Sequence, residues 1–415
     1  MTTDARPAEQ ENTRTPRSGL LRLLGPAFVA AVAYVDPGNV AANLTAGARY
    51  GYLLLWVLVA ANAMAVLVQY LSAKLSVVSG RTLPELLRER LGTPARLAYW
   101  GQAELVAIAT DLAEVIGGAV ALHLLFGTPL LAGGVITGAA SLLLLALHNR
   151  AGVRWFEAAV VALLLVVVAG FVSGVVLAPP DAAEAAAGLV PRFAGADTVL
   201  LAASMLGATV MPHAIYLHSA MARDHHGDVA ADRTRRVLRA TRLDVVGALV
   251  LAGVVNISML LLAASALRGV AGTDTLEGAH AAVLDHLGTG AALLFAVGLL
   301  ASGLASTSVG AYAGSIIMQG LLRVDVPLLV RRAITLIPAL VCLGVGVDPT
   351  RALVVSQVVL SFGIPFALVP LVRLTSDRAL MGEHVNRTGT RVAAGVAVTL
   401  VVALNACLLY LTLFA

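Results

Sequence analysis

Asp36, Pro37, Gly38 and Asn39 interrupt an otherwise apolar stretch, and Met211, Pro212 and His213 interrupt another about 175 residues later. A carboxylate at bilayer depth costs at least ~2.5 kcal/mol even on the most lenient scales, so an acid kept there is kept for function. Proline has no N–H, and in a helix it leaves the carbonyl four residues earlier without its partner. Those carbonyls belong to Ala33 and Ala208. The two breaks therefore offer one carboxylate, the amide oxygen of Asn39, the thioether of Met211 and two freed carbonyls, which is a donor set for a cation. Oxygen combined with sulfur suits first-row divalent metals better than Mg²⁺ or Ca²⁺, which want oxygen alone. The plainer alternatives are a turn at residues 36–39 and a methionine that only packs. Both are weakened by the position of the breaks inside apolar spans.

A second constellation lies on one helix. Glu104, Asp111 and Glu114 are spaced by seven and three, which puts them within a sector of about 80° on one face. Acids on a membrane helix need partners, and Arg331 with Arg332, near the start of a later apolar span, are the candidates. The arrangement reads either as a structural ion-pair network or as a proton route, since chains of Asp, Glu and His mark proton relays in transporters. His213 and His218, five apart, cannot face the same point on a helix. His213, beside the methionine, is a candidate proton carrier, and His218 is expected toward an intracellular vestibule. His225 and His226 are expected to be solvated in a loop. Asn256, a lone amide in an apolar span, reads as interhelical glue near a gate.

Elements must hold these groups, and composition says which kind. Of 415 residues, 59% are hydrophobic and 13% charged, against roughly 25% charged in soluble domains, and mean hydropathy is +0.88. This is an all-α polytopic membrane protein. Apolar segments are expected at 20–48, 52–79, 96–126, 129–148, 155–178, 197–221, 240–267, 279–322, 326–346, 350–373 and 390–414, eleven spans in all. The first and sixth break at a proline and each is followed by four more. Five plus five helices with broken first members is the pattern of inverted-repeat transporters: residues 20–178 form one repeat, 197–373 the other, and 390–414 an added eleventh helix. Residues 1–19 are polar and expected to be disordered in the cytoplasm. A signal peptide cleaved after Ala31-Val32-Ala33 is rejected, because it would remove half of the paired site.

Arg49, Arg192, Arg268 and Arg351 fall on one side of this topology and the other 24 of 28 basic residues on the opposite side. That bias puts the N-terminus in the cytoplasm and the C-terminus outside. The basic residues are scattered over short loops, so nucleic acid is not an expected partner. The richest run, Arg233 to Arg242, is expected to be a solvated connector with some attraction to anionic lipid. Cys342 and Cys407 lack CxxC spacing and read as small buried hydrophobes. With no P-loop signature and no sizeable soluble domain, nucleotide-driven pumping is excluded for this chain alone. A membrane enzyme or metal-regulated receptor would need a catalytic constellation or signalling domain that is absent from the sequence. Secondary transport remains, with a cation-coupled amino-acid symporter as the alternative within the same architecture.

Ala-Tyr-Val-Asp-Pro-Gly-Asn at 33–39 and Gly-Ala-Thr-Val-Met-Pro-His at 207–213 resemble the signature segments of the Nramp family of divalent-metal transporters. Residues 110–117 and 356–365 look like its third- and tenth-helix motifs. The resemblance implies a LeuT-like fold and proton-coupled uptake of Mn²⁺ or Fe²⁺, with Cd²⁺, Co²⁺ and Zn²⁺ as further cargo and no separate cofactor. It implies metal binding by Asp36, Asn39, Met211 and the carbonyls of Ala33 and Ala208, joined by Gln357 in an occluded state. It also implies proton passage from Asp36 through Glu114, Asp111 and the Arg331–Arg332 pair, and a bacterial plasma membrane as the location. Relatives that carry Mg²⁺ or Al³⁺ lack the methionine.

Overall fold

A computed structural model describes residues 25–151, 153–227, 229–324 and 326–414. The expected disordered stretch 1–19 lies outside the described residues. The first half contains α1 (Pro26–Val32), a 3-10 turn (Ala33–Val35), α2 (Pro37–Tyr50), α3 (Leu55–Ser79), α4 (Leu83–Arg90), α5 (Thr93–Phe126), α6 (Leu130–Ala151), α7 (Val153–Leu177) and α8 (Ala182–Ala187). The second contains α9 (Ala196–Thr209), α10 (Pro212–His226), α11 (Ala231–Leu262), α12 (Leu276–Leu287), α13 (Thr289–Leu322), α14 (Leu328–Gly344), α15 (Pro349–Thr375), α16 (Arg378–Met381) and α17 (Thr388–Phe414). Among the described residues there is no strand.

Eight helical stretches among the described residues are long and apolar enough to cross a membrane. The other three expected spans correspond to the broken pair α1–α2, to α6 and to α14. The expected eighth span, 279–322, is two helices, because the chain turns at Gly288 with φ 87°, a left-handed region that favours glycine. Arg233–Arg242 is not a connector: it forms the first turns of α11. His225 and His226 end α10 rather than lying in a loop. Short amphipathic segments escaped the hydropathy reading altogether. The clearest is α4, set by a capping box in which Thr82 and Glu85 each accept from the other's backbone N–H.

Both expected breaks are present. The first helix runs α1, then the 3-10 turn, then α2, with Pro37 at the first helical position, where its missing N–H costs nothing. The sixth runs α9 to α10, with Pro212 in the same role. The elements around them are tightly buried: Asp36, Asn39, Met211, Ala208 and Gln357 are each 0% exposed. α15 packs on α9 and α5, α13 on α5 and α7, and α11 on α3, α7 and α2. At its start α1 is held by α11, whose Asp244 carboxylate accepts from Gly25 N (3.2 Å) and Ala27 N (3.3 Å). A distant acid thus satisfies orphan donors of that helix end.

Candidate cation site and the buried acid–arginine network

Asp36 occupies the N-cap position of α2, and its Oδ1 accepts from Asn39 N at 2.7 Å. An aspartate is among the best residues for that position. Asn39 then folds back: its Nδ2 donates to Asp36 Oδ1 (2.8 Å) and to the Ala208 carbonyl (2.9 Å), which joins the first break to the second across the core. The Ala208 oxygen, expected to be free, therefore has a partner. Two carbonyls of the turn just before the first break are also engaged, Tyr34 O by Asn256 Nδ2 (2.8 Å) and Val35 O by Ser302 Oγ (2.5 Å). Ala33 lies buried in the same turn.

From α15, Gln357 Nε2 donates to Asp36 Oδ2 at 3.3 Å. Two glycines let these groups meet. A Cβ on Gly38 would collide with the Gln357 amide, and one on Gly207 would collide with the Gln357 backbone carbonyl. At the second break Met211 is the N-cap residue of α10 and makes no capping bond. The position favours Ser, Thr, Asp or Asn, so a buried methionine there departs from the local capping rule, the kind of departure expected at a functional or strained position.

The amide oxygens of Asn39 and Gln357 are buried with no hydrogen-bond partner, and so is the Thr209 hydroxyl. Orphaned buried polar atoms are rare enough that each needs a reason. Two uncommitted oxygens bordering a buried carboxylate, with a thioether at the adjoining break, match the needs of a divalent cation. Among the described residues no cluster of three His, Cys, Asp or Glu side chains forms a metal site. A site here rests on one charge and neutral donors.

The acids of α5 meet the arginines of α14. Arg331 Nη2 donates to both oxygens of Glu104 (2.9 and 3.0 Å). Arg332 is 1% exposed, stands 2.5 Å from Asp111 and 3.9 Å from Glu114, and also donates to Ser141 and Thr307. Three acids face two guanidinium groups. Both oxygens of Glu114 lack a hydrogen bond and it lies farthest from its arginine, 3.9 Å from Arg332, so it is the least engaged acid of the network.

His213 Nδ1 lies 3.3 Å from Thr110 Oγ1 and the side chain is buried. His218, expected in a vestibule, is 1% exposed. Its Nδ1 sits 2.8 Å from Gln69 Oε1, and Gln69 donates in turn to the Tyr34 hydroxyl. Asn256 bridges helices as expected, also accepting from Asn43 Nδ2 at 3.1 Å. Cys342 and Cys407 are free, but Cys407 is exposed on α17 rather than buried. Gln69, Thr110, Ser302 and Thr307 were missed in the sequence. Gln69 was findable, as an amide inside an apolar span. The hydroxyls were not, because Ser and Thr commonly satisfy themselves on a membrane helix.

A family model described as Nramp, natural resistance-associated macrophage protein-like, matches residues 27–411. The chain is 60% identical over 404 residues to the divalent metal cation transporter MntH of Mycobacterium tuberculosis, covering 97% of this chain and 94% of that one. A crystal structure of a mutant manganese transporter from Eremococcus coleocola matches with a TM-score of 0.84 at 33% identity, over 93% of this chain and 85% of that one. MhsT in complex with L-phenylalanine matches with a TM-score of 0.63 at 15% identity, over 94% and 99% of the chains. At that identity the likeness concerns the fold alone.

Proposed function

The chain belongs to the Nramp family and is a multi-pass, LeuT-like transporter of divalent metal cations, and from that premise we propose that it imports Mn²⁺ and Fe²⁺ together with protons by alternating access around Asp36. The observation that carries this reading is the pair of buried, unpartnered amide oxygens on Asn39 and Gln357 beside the only carboxylate at either break. Asp36, Asn39, Met211 and Gln357, with the Ala33 and Ala208 carbonyls, hold the metal. Asn39 must turn its oxygen toward the ion, which releases the Ala208 carbonyl at the same time, because one amide nitrogen now holds both Asp36 and Ala208. Met211 adds a soft donor that Ca²⁺ and Mg²⁺ do not use.

Protons leave Asp36 toward Glu114, the acid of the network whose oxygens make no hydrogen bond, and pass along Asp111, Arg332, Arg331 and Glu104, with His213 beside the path. The amino-acid symporter reading has a specific difficulty. In that class a free helix N-terminus receives the substrate carboxylate, whereas here the N-terminus of α2 is already capped by Asp36. The N-terminus faces the cytoplasm and the C-terminus the outside, as the arginine distribution requires.

The test is uptake into proteoliposomes enclosing a pH-sensitive dye, across Mn²⁺, Fe²⁺, Cd²⁺, Co²⁺, Zn²⁺, Ca²⁺ and Mg²⁺. Acidification that accompanies Mn²⁺ entry is the expected result. Metal entry with no proton movement would remove the coupling from the proposal.

A further inference from the structure

At one end of the bundle α3, α11 and the segment leading into α17 enclose a cavity of about 720 Å³. Its charge is one-sided. Lys74, Arg235, Arg239, Arg242 and Arg387 line it, against a single carboxylate, Glu383. Glu383 is spent on Arg235 at 3.0 Å. Among the described residues no carboxylate pairs with the other four cations. Lys74 is the telling member: it is 7% exposed, and its Nζ is held by the neutral Asn386 Oδ1 at 2.9 Å. A buried ammonium with no counter-ion is costly unless an anion completes the site.

Besides Tyr70, His384 and Thr390, the remaining wall is apolar, with Val66 and Leu67 from α3 and Val246 from α11. The basic residues sit at the last turns of α3, the first turns of α11 and the entry to α17. That is the level where spanning helices meet lipid headgroups. Cationic groups at the rim above an apolar wall fit a molecule with an anionic head and acyl chains, and basic pockets between transmembrane helices bind acidic phospholipids. We infer that this cavity is a binding site for the phosphate headgroup of an anionic phospholipid, with four uncompensated cations suited to more than one negative charge. None of the cavity's lining residues is among the proposed metal ligands, and the inference does not depend on which metal is carried.

The experiment uses the full chain, purified and stripped of lipid, with retained lipid read by native mass spectrometry. Diphosphatidylglycerol and phosphatidylglycerol are compared with phosphatidylcholine, on wild type and on the triple variant Arg239→Gln, Arg242→Gln, Arg387→Gln. The double variant Arg373→Gln, Arg378→Gln is the charge control, since both side chains are exposed outside the cavity. Acidic lipid should stay bound to wild type and control, with affinity falling about fivefold for each cavity arginine removed, while phosphatidylcholine should not be retained. Equal retention by wild type and the triple variant overturns the site. Displacement of the lipid by millimolar inorganic phosphate overturns the lipid as occupant and leaves a soluble anion in its place. Arg242→Gln alone keeps the measurement readable if the triple change disturbs insertion.

Discussion

Asp36 performs two tasks with one carboxylate, capping α2 and presenting negative charge at the meeting point of two broken helices. Asp36→Ala should abolish high-affinity Mn²⁺ uptake and also cost about 0.5–2 kcal/mol of stability through the lost cap. Asp36→Asn keeps an N-cap residue, so it should lose uptake while unfolding near the wild-type temperature. Near-normal uptake by either variant would remove the site assignment. Met211→Ala should shift selectivity more than capacity. If ~1–3 kcal/mol of preference rests on the sulfur, its loss changes the selectivity ratio by roughly five- to 150-fold, seen as Mn²⁺ uptake newly inhibited by millimolar Ca²⁺. Unchanged Ca²⁺ sensitivity would mean the sulfur only packs. The residue types of this site were legible because a carboxylate beside proline is so costly in an apolar span. The bonding was not. No spacing rule says that the Asn39 nitrogen would occupy the Ala208 carbonyl, since that contact joins residues from opposite halves of the chain.

Among the elements, α5 and α14 carry the buried ionic network, and α9 and α15 meet closely enough to need Gly207. Gly207→Ala should overpack that contact and cost about 1–3 kcal/mol, read as a lower unfolding temperature in detergent with weaker metal binding. Glu114→Gln separates the two readings of the network. Its oxygens make no hydrogen bond, so the change should leave stability almost untouched and reduce proton flux more than metal affinity measured by calorimetry. Equal losses in both would return Glu114 to a structural role. Arg332→Gln should instead strand the buried acids and destabilise the protein by roughly 3–5 kcal/mol. Long apolar helices and both breaks could be read from hydropathy and proline. The bend at Gly288, the helical Arg233–Arg242 segment and α4 could not, because helix continuity there is set by caps and packing rather than by apolar length.

On the scale of the whole molecule, the arginine bias makes a plain prediction about sidedness. In a background with Cys342→Ser and Cys407→Ser, the variant Arg378→Cys should react with a membrane-impermeant maleimide only from the cytoplasmic face. Labelling of intact cells from outside would invert the topology.

The hydrogen bonds around Asp36 reach further than the site itself. A carrier that delivers its ion must reset without one, and a bare carboxylate sealed in a dry core would make that journey prohibitive. The Asn39 and Gln357 amides direct N–H groups at Asp36, and on the proposed mechanism these would balance the carboxylate during that return. On the proposed site assignment, the same two side chains would serve both the loaded carrier and its return without an ion. Replacing Asn39 with Ala should therefore slow net uptake more than one-for-one exchange of Mn²⁺ across the membrane, because exchange never asks the protein to travel empty. Equal slowing of the two would show that Asn39 serves the loaded carrier alone.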